Sequence, residues 1–147
     1  LPHSKLNEGW NRIQALFAEN QEQMDALGVG CGAMLAIVNR SACLIEPVFF
    51  WPDELQHVHK RSIEPSHLAK LKGFPANEAA RALVGDLRRG VIAILEELGA
   101  VHLQLGRAYN LEQGSDPKAY ALLRQIKDVV DPKGLMNPAA LGLAKGA

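Results

Sequence analysis

Five histidines, His3, His57, His59, His67 and His102, are the first residues to weigh for catalysis or metal binding. His57-Val58-His59, with Glu64 and His67 downstream, carries enough nitrogen and oxygen donors to ligate a divalent cation. On a strand, His57 and His59 would share a face; on a helix they diverge by about 200°. The segment reads as helix or loop, so a solvated polar surface is favoured and no metal is expected. The stretch Val101-His102-Leu103-Gln104-Leu105-Gly106-Arg107-Ala108-Tyr109 has more to offer. His102 and Gln104 alternate with apolar neighbours and can point together toward a cleft. Gly106 lets the backbone bend or approach a flat ligand closely. Arg107 can clamp a carboxylate through parallel hydrogen bonds, and Tyr109 can give or take a proton. The competing reading is a solvent-facing sheet whose arginine sits in a surface ion pair, and residue chemistry alone favours it.

Other signatures are missing. Gly28-Val29-Gly30-Cys31-Gly32 lacks the Lys-Ser/Thr ending and the strand-then-helix setting of a phosphate-cradling loop. Neither a nucleophile elbow nor a His-Glu-x-x-His zinc motif occurs. No complete catalytic set is visible in the residues themselves.

The elements that would position these residues follow from periodicity. Between Glu8 and Leu27, Trp10, Ile13, Leu16, Phe17, Met24 and Leu27 recur at helical steps, with Asn7 and Gly28 as expected caps. Ala33–Asn39 reads as a buried strand, Asn39-Arg40-Ser41 as a turn, and Leu44–Trp51 as a second strand of an antiparallel hairpin. Pro52-Asp53-Glu54 resembles a helix start, and short helical pieces and loop are expected on to Lys72. Asn77–Leu98 is the strongest helix, with Gly99 ending it. Ala100–Leu105 is expected as a third strand, Gly106–Ser115 as a loop, and a last helix begins at Asp116-Pro117. Asp131-Pro132-Lys133-Gly134 is a turn. This order favours an α+β fold with an antiparallel sheet over a doubly wound parallel one.

Length and composition set the outer limits. A chain of 147 residues is expected to form one domain spanning residues 1–147. Its 48% hydrophobic content supplies a core, and 16 basic against 16 acidic residues argue against a nucleic-acid partner. Cys31 and Cys43 are too few for a disulfide scaffold and are expected reduced and buried, in a cytoplasmic protein. No apolar stretch approaches the ~20 residues that cross a bilayer. Opening on Leu-Pro-His, the chain reads as a piece of something longer.

One family resemblance sharpens this picture. Ile126-Lys127-Asp128-Val129-Val130-Asp131-Pro132-Lys133-Gly134-Leu135-Met136-Asn137-Pro138 resembles the carboxy-terminal signature of FAD-linked oxidases of the vanillyl-alcohol-oxidase type, the glycolate oxidase and D-lactate dehydrogenase relatives. Ala139 stands where those chains usually carry glycine. Ile45–Asp53 and Gly99–Tyr109 resemble further stretches of that family, in order and spacing. The resemblance implies a ferredoxin-like antiparallel sheet packed against helices, as the substrate-domain end of a larger flavoenzyme. It also implies FAD held mainly by an amino-terminal FAD domain outside this chain, and a D-lactate- or glycolate-like 2-hydroxy acid, or a related alcohol, as substrate. By position, Asn137 would contact the cofactor, Arg107 and Gln104 would bind substrate, and Tyr109 and His102 would be catalytic. The isolated chain would then be inactive. A stand-alone ferredoxin-like binding or oligomerisation domain is the rival, using a sheet edge or Phe49-Phe50-Trp51 as its contact and compatible with a homodimer. A small metalloprotein on His57, His59 and His67 comes third.

Overall fold

The computed structural model describes residues 1–104 and 111–143. The elements run α1 (Leu6–Glu19), α2 (Gln21–Leu27), β1 (Gly30–Ile37), β2 (Cys43–Phe50), α3 (His57–Ser62), α4 (Pro65–Leu68), α5 (Glu78–Glu97) and α6 (Pro117–Val130). Two antiparallel strands among helices make the chain α+β, as the pattern of elements indicates. Two compact units form, Leu1–Ile94 and Leu95–Ala147.

In the first unit the expected long opening helix is broken at Asn20. Its amide donates to the Leu16 carbonyl at 2.8 Å, a side chain competing with the backbone for a helical acceptor. Asn7 lies inside α1 rather than capping it. Ile13, Phe17 and Met24 are buried with Leu83, Val84, Leu87 and Val91 of α5, so both helical stripes read from the sequence do supply core. Gly90 has a packing reason to lack a side chain: a Cβ there would sit 2.8 Å from Leu16 Cδ2.

The hairpin is present, with Gly30 opposite Phe50 and Ile37 opposite Cys43. Its tight end is fastened by Asn39, whose Oδ1 accepts from the backbone of Ser41 and Ala42. β2 turns Cys43 and Ile45 into the core, and Phe49 meets Phe17 edge-to-face at 5.6 Å. β1 corrects the expectation of a buried strand. Met34, Leu35 and Ile37 are 49%, 48% and 67% exposed, and Cys31 is exposed as well, while Cys43 is buried. An apolar run shows that a strand can be covered, not that anything covers it.

Residues 51–56 are irregular, so Pro52-Asp53-Glu54 does not start a helix. Asp53 is instead engaged by its surroundings. Arg81 reaches its two oxygens at 2.7 and 2.8 Å, Trp51 Nε1 donates at 3.1 Å, and the backbone N–H of Asn77 donates at 3.0 Å. Hydrogen bonding from Arg81 holds this carboxyl far below the usual carboxylate range, against an opposing contribution from burial. Asn77 also caps α5, its Oδ1 accepting from Ala80 N. The histidine segment is helical, as expected: α3 carries His57 and His59, both exposed, and His67 is exposed on α4. His59 Nδ1 accepts from the Gln56 backbone at 3.0 Å, which makes it a helix-capping residue. Among the described residues no group of three or more His, Cys, Asp or Glu is placed to hold a metal ion.

Candidate functional site

In the second unit, α5 ends at Glu97 and Gly99 turns the chain away, with the N–H of Ala100 returning to the Leu95 carbonyl at 2.9 Å. The chain then departs from expectation. Ala100–Gln104 is not a strand, and Leu105 lies outside the described residues. The physical reason is the absence of a face to bury. Val101 and Leu103 are 63% and 72% exposed, so their alternation faces solvent and no ladder holds it.

His102 nevertheless lies in a concave place. Glu96, Gly99, Ala100, Val101, His102, Gln113 and Gly114 line a shallow cavity of about 200 Å³. His102 Nε2 stands 3.7 Å from Glu96 Oε1, with the two side chains 18% and 24% exposed. That separation is long for a hydrogen bond, but short enough for the carboxylate to attract an imidazolium. An imidazole beside a carboxylate is the kind of pairing that acid–base sites use. Gln104 is exposed and does not line this cavity, nor does Asn137. Arg107 and Tyr109 fall outside the described residues.

The Asp-Pro-Lys-Gly bend is a second polar feature of this unit, and its organiser is Asp131. Pro117 opens α6 behind Asp116, whose Oδ1 accepts from Lys118 N and Ala119 N at 3.0 Å each. One turn before α6 ends, Lys127 Nζ reaches Asp131 Oδ2 at 2.6 Å. Leu135 N and Met136 N then donate to the two oxygens of the same carboxylate, each at 2.9 Å. Asp131 is only 5% exposed. The Lys127 hydrogen bond, helped by those two N–H groups and opposed by burial, pulls its pKa down to about 2. A buried carboxylate thus gathers one ammonium and two backbone donors and closes the loop on itself.

Left-handed backbone runs through the rest of the bend. Gly134 has φ 66°, Asn137 45° and Ala139 63°. Asparagine tolerates this region, and the Asn137 side chain is exposed, with its amide donor and carbonyl acceptor open to solvent. Ala139 does not suit it, because its Cβ crowds the following carbonyl. The glycine expected at that position in the resembling family has its physical reason here. Ala139→Gly should therefore raise the stability of this unit by about 0.5–1 kcal/mol, the relief of left-handed strain outweighing the entropy glycine adds to the unfolded chain. Thermal denaturation of the variant beside the parent sequence checks this, and a lower midpoint would contradict it.

Comparison with known families bears on this same segment. Residues 104–141 match the family model of FAD linked oxidases, C-terminal domain. The match takes in Gln104, Arg107, Tyr109, the Asp131 bend and Asn137, and it supports an FAD-linked oxidoreductase as the setting of this segment. Neither a curated protein nor a solved structure matches the chain. Sequence reasoning missed two contributors to this segment and its surroundings. Glu96 carried no signal at all. Asp131 could have been found as the partner of Lys127 four residues before it on the same helix face. The strain at Ala139 was announced by the missing glycine.

α6 differs from expectation in what it buries. Tyr120 is its buried residue, with Oη donating to the Leu141 carbonyl at 3.3 Å, whereas Leu122, Ile126, Val129 and Val130 are exposed. No helix among the described residues is long and apolar enough to cross a membrane.

Proposed function

We propose that this chain is the substrate-domain end of an FAD-dependent oxidoreductase that oxidises a 2-hydroxy acid of the D-lactate or glycolate kind, or a related alcohol. The observation that carries the reading is the match over residues 104–141, which contains both the Arg107–Tyr109 segment and the bend built on Asp131. Arg107 binds the substrate carboxylate through its planar fork, and Gln104 contributes a further hydrogen bond. The Tyr109 hydroxyl takes the substrate's hydroxyl proton while passing its own to the His102 imidazole, as the carbon that bears the hydroxyl is oxidised, with Glu96 stabilising the imidazolium. Asn137 fits a flavin by its chemistry: an exposed carboxamide on a left-handed backbone offers a donor and an acceptor to the polar edge of the ring. Bound flavin supplies the hydride acceptor. The remainder of the work belongs to this chain's side chains, which orient the carbon–hydrogen bond and remove the proton.

In this reading the cofactor is gripped mainly by an FAD domain elsewhere in the parent protein, which works in the cytoplasm. The chain alone is then catalytically silent, and after purification it shows no flavin absorbance. The test uses the flavin-containing parent enzyme, mixed anaerobically with a panel of 2-hydroxy acids and simple alcohols. Bleaching of the oxidised flavin band by a hydroxy acid is expected. A flavin left oxidised by every member of the panel would contradict the substrate class, and stoichiometric flavin on the isolated chain would contradict the division of labour.

A further inference from the structure

β1 offers a bare pairing edge, and the hydrogen bonds around it say which groups are offered. Cys43 N donates to the Leu1 carbonyl at 2.9 Å, and Leu1 N donates to the Cys43 carbonyl at 3.1 Å. Cys43 therefore directs its backbone groups away from β1, and its pair with Ile37 is a non-hydrogen-bonded one. In an antiparallel ladder such pairs alternate with bonded ones. Leu35–Ile45, Ala33–Pro47 and Cys31–Phe49 belong to the same set, which also accommodates Pro47, a residue with no N–H to give. On β1, the N–H and C=O groups of Cys31, Ala33, Leu35 and Ile37 consequently face outward, along a strand that is exposed over nearly its whole length.

The opposite edge of the sheet is blunted. Leu1 pairs with Cys43, Pro2 bridges Ala42, and Pro47 removes a donor from the middle of β2. β1 carries none of the usual protections of an edge strand: from Gly30 to Ile37 it has no charge, no proline and no bulge. It is also complementary to itself. Two copies running antiparallel about a two-fold axis at Met34 set Cys31 opposite Ile37 and Ala33 opposite Leu35, so that all the outward groups pair at once. No like charges are brought together, since the strand has none.

We propose that two copies of this chain associate through β1, forming a continuous four-stranded antiparallel sheet in the order β2-β1-β1-β2. Because the β2 edges are blunted by Leu1, Pro2 and Pro47, the assembly stops at two copies and does not extend into a filament. Met34 faces its own counterpart across the axis, in a non-hydrogen-bonded pair with Cα atoms about 4.5 Å apart. This inference does not use the substrate or the cofactor of the oxidoreductase reading.

Sedimentation velocity of the full chain across the micromolar range tests it, together with two edge variants. A species of twice the chain mass is expected. Ala33→Pro removes an outward N–H that β2 does not use, and Leu35→Lys sets like charges near one another across the axis; each should give a monomer with unchanged far-ultraviolet circular dichroism. If the proline variant unfolds, the lysine variant decides. Met34→Cys in a Cys31→Ser background should form a covalent dimer on mild oxidation, while Cys31→Ser alone should not. A monomeric parent chain, larger open assemblies, a dimer indifferent to the edge variants, or a Met34→Cys chain that does not cross-link would each overturn the proposal.

Discussion

Asp131→Ala is expected to open the bend after α6. The substitution removes the shared acceptor of Lys127 Nζ, Leu135 N and Met136 N, and leaves the two backbone donors without that partner, while Lys127 Nζ keeps the Met136 carbonyl. Charge-assisted bonds of this geometry are among the stronger ones available to a protein. Hydrogen exchange at the Leu135 and Met136 amides should therefore accelerate by on the order of tenfold or more, while the Asn77–Ala80 cap in the other unit should not change. Unaltered exchange at Leu135 would show that Pro132 and Gly134 shape the bend without the carboxylate. The same interaction sets an acid limit. The folded-state pKa of about 2 lies below the ordinary value of 3.8, so the stabilisation from Asp131 is complete well above 3.8 and is lost as pH falls through about 2. Asp53, held lower still by Arg81, acts in the same direction in the other unit. Acid titration of the parent chain should thus show loss of structure below pH 3.8, and Asp131→Asn should flatten that loss in the second unit.

The second large effect concerns Arg107. On the proposed function, Arg107→Ala in the flavin-containing parent enzyme should slow flavin reduction by a 2-hydroxy acid by about two orders of magnitude, because a substrate no longer clamped at its carboxylate would lose its reactive alignment. Reduction by a simple alcohol, which has no carboxylate for the arginine to hold, should fall far less. That contrast separates a binding arginine from one that merely supports the fold, since a folding defect would slow both substrates alike. Rapid mixing with a reading of the flavin band gives both rates. Equal losses would remove Arg107 from the substrate side.

What the sequence discloses and what it withholds divide along physical lines. Local features are legible. The hairpin was readable from two apolar runs around Asn39-Arg40-Ser41, α6 from Asp116-Pro117, and the bend from Asp131-Pro132-Lys133-Gly134. Each depends on residues within a few positions of one another. Coverage is not legible, because it depends on surfaces that periodicity does not describe. Val101, Leu103 and Leu105 alternate as a strand would, yet the described part of that stretch finds no ladder. The apolar residues of β1 and the Leu122–Ile126–Val129 stripe mark faces suited to burial that stay open in this chain. Long-range polar partners are hidden for a related reason. Asp53 and Arg81 are 28 residues apart, and nothing in either neighbourhood announces the other. At the candidate site, the sequence named His102, Gln104 and Asn137 as polar residues worth attention. Only the structure shows His102 beside Glu96 in a cavity that Gln104 does not line.

The most direct measurement is a crystal structure of the flavin-containing parent enzyme with a non-reactive 2-hydroxy-acid analogue bound. The account predicts the Arg107 guanidinium within hydrogen-bond distance of the analogue's carboxylate, with the Asn137 carboxamide at the edge of the flavin ring beside it. An analogue bound away from residues 104–109, or Arg107 and Asn137 on opposite sides of the domain, would contradict it.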